Sequence, residues 1–194
     1  HGALLILDET ATAFGRTGKN FAFEHFEIIP DMVVVGKGLG GGVVPMAALI
    51  VREGLEVSND IALGHYTHEK SPLGSAAALA MLNYLEDYNL LAQAQNLGIY
   101  FGAKLIELKE KYPLIGDVRQ IGLLFAIELV IDRVTKEKAI DQAEAVMYEC
   151  MENGLSFKVS QGNVITLSPP LIISQTQLDV AYNILDQAIR KVSI

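Results

Sequence analysis

The chain has 194 residues, 51% of them hydrophobic, with a formal charge of −8 and a pI near 5. That length allows one large domain or two small ones, with enough apolar content for a substantial core. The acidic balance and the lack of any Lys/Arg-rich run argue against nucleic acid or another polyanion as a partner, and the longest apolar stretch, Val43 to Val51, contains Pro45 and is too short to span a bilayer.

The sequence enters a strand pattern at once, with no methionine and no lead-in, and so reads as a fragment of a longer chain. Ala3–Leu7 is a continuous apolar run that stops at Asp8 and Glu9. It reads as a fully buried strand with carboxylates at its C-terminal end. Met32–Val35 repeats the design and stops at Gly36-Lys37, and Met46–Val51 is a third run. Short buried runs of this kind suit a sheet covered by helices on both faces. Ligands of such sheets gather beyond the strand ends, so Asp8 and Lys37 are expected at one edge.

From Pro72 the texture becomes Ala- and Leu-rich at helical spacing. A helix is expected from Pro72 to Tyr88, N-capped by Ser71 with proline at its first position, and a second to Lys111. The pattern breaks at "PLIGD", then "GLLFAIELV" reads as a strand. Lys136–Asn153 reads as an amphipathic helix ended by Gly154. "LSFKV" and "NVITL" read as short strands, and Ser174 caps a last helix to about Val192. This second part suits a small α+β domain. Cys150, the one cysteine, excludes an internal disulfide and a Cys-rich metal site, which fits a reducing cytoplasm.

Lys37 asks for an explanation. A lysine after a buried strand most simply carries its ammonium out to water. Here Gly36, Gly38, Gly40, Gly41 and Gly42 strip side chains from its surroundings, so another group can come close to the backbone. A Walker-type phosphate loop has glycines before its lysine and Ser/Thr after it, the reverse of this order. A lysine held in a partly desolvated site can instead form a Schiff base. Pyridoxal 5'-phosphate (PLP) is the common partner, and it needs a carboxylate at its pyridine nitrogen. Asp8, on the neighbouring strand end, is the candidate.

The stretch "LLILDETATAFGRTGKNFAFEHFEIIPDMVVVGKGLGGGVVPMAALI" resembles the class III, or ω-aminotransferase-like, family of PLP enzymes. The resemblance continues through "THEKSPLGSAAALA", "GLLFAIELV" and "SPPLIIS", in order along nearly the whole chain. It implies an α/β fold-type-I PLP-transferase. Residues 1–85 would be the second half of the large, mostly parallel-sheet domain, and 86–194 an interdomain helix with the C-terminal α+β small domain. It implies Lys37 as the Schiff-base lysine and proton carrier, Asp8 at the pyridine nitrogen and Thr10 packed on the ring. Thr67 would bind the cofactor phosphate of a neighbouring subunit, which implies a homodimer with shared active sites. Arg16 would hold the loop after the first strand through carboxylates. The family's phosphate cup and ring-stacking aromatic lie upstream of this span, so these residues alone are expected to hold PLP poorly.

The sequence departs from the family's pattern at three places. Ala11 stands where the family often has a glutamine facing the cofactor's phenolic oxygen, a loss of roughly 1 kcal/mol. Thr166 stands where many members carry an arginine that grips a substrate carboxylate, and a hydroxyl cannot replace a guanidinium fork. Lys158 is a nearby charge, more simply read as a solvent-facing strand residue. The turn around Thr67 is crowded with His65, His68, Glu69 and Lys70 without the spacing of a HExxH metal site, and reads as a substrate entrance or dimer contact. No partner is evident for His1 or His25, and no metal is expected.

The first functional expectation is an aminotransferase moving an amino group from an amine or amino acid to a keto acid or aldehyde. The alternatives on the same frame are a PLP-dependent lyase, such as an ammonia-lyase on an amino alcohol or aminophosphonate, a racemase or a mutase. A third is a non-catalytic relative or fragment serving in assembly.

Overall fold

The computed structural model describes residues 2–55 and 66–193. The chain falls into two compact units, His1–Leu91 and Ala92–Ile194.

The first unit holds β1 (Ile6–Asp8), β2 (Met32–Val35) and β3 (Ala48–Val51), in the order β1-β2-β3. β1 runs parallel to β2, with Asp8 opposite Val34. β3 returns antiparallel, with Ala48 opposite Val35. The connection between β2 and β3 carries the glycine turn and no crossover helix, so β3 cannot come back parallel. Of the three apolar runs read as buried strands, only the middle one hides its valines: Val33 and Val35 are buried, while Leu4–Ile6 and Leu49–Val51 are exposed. The helix of this unit, α1 (Pro72–Asp87), packs against the short 3-10 turn Lys37–Gly40, leaving β1 and β3 bare. Ser71 caps α1 as its sequence predicts, its hydroxyl accepting from Gly74 N at 3.4 Å.

α2 (Leu90–Lys111) leads into the second unit, whose sheet is fully antiparallel. It comprises β4 (Ile115–Ile121), β5 (Leu124–Leu129), β6 (Lys158–Ser160) and β7 (Val164–Leu167), in the order β4-β5-β7-β6. α3 (Ile140–Glu152) and α4 (Gln175–Val192) complete it. Strand alternation sends Phe125, Ile127, Leu129, Ile165 and Leu167 to one face. They share a core with Phe101, Leu105, Val146, Cys150, Leu185 and Ile189 from the helices.

β4 begins within the stretch where a break was expected. The corner before it is tied by Arg133, whose guanidinium donates to the carbonyls of Lys109, Tyr112, Pro113 and Ile115 at 2.5–3.2 Å. Those bonds satisfy acceptors that the end of α2 leaves open. Gly98 lets α2 settle on the β4–β5 turn, because a Cβ there would collide with the Gly122 carbonyl.

Candidate functional site

The site starts at the end of β1. Thr10 N donates to Asp8 Oδ1 at 3.0 Å. That N–H, then the Thr10 side chain, and beyond them the charge of Lys37 hold the Asp8 carboxyl below the ordinary carboxylate range. Both Asp8 and Lys37 are exposed at the same sheet edge, as the parallel register requires. Thr10 stands beside them: a Cβ placed on Gly36 would touch Thr10 Cγ2 and Ala47 Cβ at 3.5 Å. Lys37 itself has φ 44°, a left-handed backbone that non-glycine residues seldom adopt. The glycines on either side allow the abrupt exit from β2 that this conformation makes.

Glu9 turns the opposite way. It is 3% exposed and accepts from Thr12 Oγ1 at 2.5 Å and from the N–H groups of Ala22 and Phe23, both at 2.9 Å. One carboxylate therefore gathers the loop from Thr10 to Phe23. Inside that loop Phe14 N donates to Asn20 O, and the Phe21 and Phe23 rings stack. Burial lowers the Arg16 pKa from its ordinary value. His25, for which no partner was evident, has Nε2 3.1 Å from Thr17 O. The organising role of Glu9 was missed in the sequence. The available signal was strand alternation, which puts consecutive residues 8 and 9 on opposite faces and so sends one carboxylate inward.

An open cleft of about 760 Å³ adjoins Lys37, with Met46, His68, Glu69, Ser71 and Gly74 among its walls. The turn at its rim is internally bonded. Tyr66 N donates to Glu69 Oε2 at 3.3 Å, and Ser71 N to His68 O at 3.2 Å. Thr67 is exposed in the same turn and is not itself among the cleft's lining. His1 and His65 lie outside the described residues.

Thr166 lies in the second unit, on β7. It faces Lys158 across the β6 ladder, and its hydroxyl is 3.3 Å from Ser160 Oγ. Ala11 is exposed in the turn after β1. Cys150 is fully buried and its thiol is pushed up to about 12, chiefly by burial, so it is no nucleophile. Among the described residues no group of three or more His, Cys, Asp or Glu side chains could hold a metal ion, and no helix is long and apolar enough to cross a membrane.

The family model Aminotransferase class-III matches residues 1–189. This chain belongs to the class-III aminotransferase family. The chain is 51% identical over 192 residues to a (R)-1-hydroxy-2-aminoethylphosphonate ammonia-lyase of Vibrio splendidus, covering 99% of this chain and 40% of that protein. It is 44% identical to a leucine/methionine racemase of Thermococcus litoralis, covering 99% and 43%. Among solved structures, a Bacillus anthracis aminotransferase superposes with a TM-score of 0.92 at 33% identity, over 98% of this chain and 45% of that one. The chain thus spans less than half the length of the relatives it matches. The family is PLP-dependent and its fold is the fold-type-I transferase. The donor set at the β1–β2 edge fits that cofactor: a primary amine for its aldehyde, and a carboxylate that stays ionised for its pyridine N–H.

Proposed function

We propose that the protein to which these residues belong is a PLP-dependent ammonia-lyase acting on a small amino alcohol that carries a phosphonate, of the kind its Vibrio relative is named for. The observation that carries this reading is Thr166. Where the family's pattern has a carboxylate-gripping arginine, this chain has a hydroxyl engaged with Ser160. A hydroxyl offers no fork to a carboxylate, and the phosphonate substrate has none. The 51% identity to the ammonia-lyase supports the same reading.

In this reading Lys37 attaches the cofactor and then takes the proton from the amino-bearing carbon. Asp8 keeps the pyridine nitrogen protonated, and Thr10 holds Asp8 while packing beside the ring. Thr67 reaches the cofactor phosphate of a neighbouring subunit, making a homodimer with shared sites. The first unit is then part of the large cofactor-binding domain, and the second contains the small domain. The cofactor, when bound, supplies an electron sink. Release of ammonia and an aldehyde needs no amino acceptor.

A second reading, an aminotransferase, is favoured by the solved neighbour and uses the same Lys37 and Asp8. The full-length protein, given 1-hydroxy-2-aminoethylphosphonate and no keto acid, should release ammonia and phosphonoacetaldehyde in equal amounts. Amino transfer to an added keto acid without free ammonia would overturn the lyase and leave the aminotransferase.

A further inference from the structure

Lys37 leaves β2 in a turn that cannot fix its own position. Its φ is 44°, and a Cβ placed on Gly38 or Gly42 would meet nothing within 4 Å. Glycine-rich backbone has the most conformational freedom to lose. Two backbone bonds close the turn, Leu39 N to Gly36 O at 3.0 Å and Gly41 N to Gly38 O at 2.9 Å. Such local bonds set the shape of the turn but not where it stands. Leu39, which is buried, moors its middle.

Met46 holds the rest. A Cβ placed on Gly40 would stand 3.6 Å from both Met46 N and Met46 Cβ, and one placed on Gly74 would stand 3.4 Å from Met46 Sδ and 3.9 Å from Met46 Cγ. Gly40 and Gly74 are both buried. The Met46 side chain therefore has its root on the Lys37–Gly40 turn and its sulfur on α1, and the two glycines let it lie close against both. An unbranched thioether suits a gap of this shape. Its own backbone is well fixed. Pro45 has a restricted φ, and β3 begins two residues on, with Ala48 paired to Val35. The same segment meets Gly36, whose Cβ would lie 3.7 Å from Met46 O and 3.5 Å from Ala47 Cβ. Met46 and Ala47 thus bracket Lys37, touching the residue before it and the residue three after it.

Resting on Lys37 as the attaching amine, and holding for the lyase and the aminotransferase alike, we infer that Met46 is a positioning residue for Lys37. The reach of its side chain to the δ position sets the spacing between the Lys37–Gly40 turn and α1, and so where the amine stands. A misplacement of about 1 Å is enough to slow an enzyme about a hundredfold.

The test is a series in side-chain reach on the full-length holoenzyme. Met46→Ala stops at Cβ, Met46→Val stops at the γ position, and Met46→Leu puts a carbon at the δ position that the sulfur holds. With 1-hydroxy-2-aminoethylphosphonate, kcat should fall about a hundredfold in the alanine and valine variants. KM should stay near the parent's, because Lys37 moves its proton only as the reaction proceeds. Met46→Leu should return to within about tenfold of the parent. Hydrogen exchange before PLP is added reads the same effect without turnover. The Leu39 and Gly41 amides should exchange faster in the alanine and valine variants and at the parent's rate in Met46→Leu, with the amides of β4 to β7 unchanged. A role in general stability alone would lower the unfolding midpoint and leave kcat at saturating PLP where it was, and that result overturns the assignment. So would a Met46→Leu as slow as Met46→Ala, or faster exchange spread evenly over both units. The turn of Thr67 leads into α1, so hybrid dimers separate the two routes. Met46→Ala chains paired with Lys37→Ala chains should stay slow, because the remaining lysine is on the chain that lost its wedge. Recovery to the level of parent chains paired with Lys37→Ala chains would move the effect to Thr67 and overturn the assignment. Full turnover in Lys37→Ala would instead sink the Lys37 reading itself, a result distinct from an unaffected Met46→Ala. Should the parent not turn over this phosphonate, the exchange rates decide on Met46 alone.

Discussion

Glu9 is where a single substitution should reach furthest through the first unit. Its carboxylate takes three hydrogen bonds from positions 3, 13 and 14 residues away, and it is 3% exposed. Hydrogen bonds to a charged acceptor contribute about 1.5–3 kcal/mol each. Three of them bound the loss in Glu9→Ala at about 9 kcal/mol, and relief of the buried charge's desolvation, several kcal/mol, offsets part of it. The expected net loss is about 3–5 kcal/mol, the scale of breaking a buried charged network. Glu9→Gln keeps one acceptor oxygen but turns an NH2 toward an N–H donor. One bond is lost and one donor is orphaned, a cost of about 1–3 kcal/mol. Urea unfolding of the full-length protein, followed by circular dichroism, should therefore order the midpoints as parent, Glu9→Gln, Glu9→Ala. The same order should appear in PLP retention on dialysis, because the loop that Glu9 gathers begins at Thr10. A Glu9→Ala protein within about 0.5 kcal/mol of the parent, the range of an ordinary surface change, would refute the view that this carboxylate organises the loop.

Lys37→Ala should abolish the covalent PLP adduct that borohydride reduction fixes, read by peptide mass. An adduct elsewhere with unchanged turnover would remove Lys37 from the site. Gly98→Ala drives a Cβ into the Gly122 carbonyl and should cost about 1–3 kcal/mol, measured as a lowered unfolding midpoint. The Asp8 carboxyl is held low by Thr10, so its folded pKa lies below its unfolded one. Its contribution is present above the unfolded value of about 3.9 and is lost as pH falls through the folded value. The difference in thermal midpoint between parent and Asp8→Asn should accordingly be level above about pH 5 and close below pH 4. Cys150, with its thiol pushed up to about 12, should resist iodoacetamide at pH 8 in the native protein and react on denaturation.

The parts legible in the sequence are those whose physics is local. Ser71 with Pro72 and Ser174 with Gln177 announce α1 and α4 because a cap acts over three residues. α3 shows what a nearby competitor does to such a signal. Its pattern starts at Lys136, but the helix starts at Ile140. Asp132 Oδ1 accepts from both Val134 N and Thr135 N, and Lys136 sits at φ 60°, so the chain is committed to a turn until the Val130–Lys138 bridge has formed. β4 was hidden for the opposite reason. What secures its first corner is Arg133, 18 to 24 residues further on.

The candidate site divides along the same line. Asp8 and Lys37 could be placed together because each ends an apolar run, and a parallel pair of strands puts like ends at one edge. Nothing in the run of residues says that Glu9 will reach Ala22 and Phe23, or that the turn at His68 will line one cleft with Lys37. Both depend on elements packing first, Glu9 on the loop closing and His68 on α1 settling against the glycine turn. The bare faces of β1 and β3 follow from the same logic. An apolar run records that its residues require cover, and it does not record which element supplies it. Leu4–Ile6 and Leu49–Val51 carry the composition of interior strands, yet no described element lies over them. In a protein more than twice this length, as the matched relatives are, such cover would come from the further chain. Cofactor retention by this span alone should then be weaker than by the full-length protein, although Lys37 and Asp8 already stand at one sheet edge.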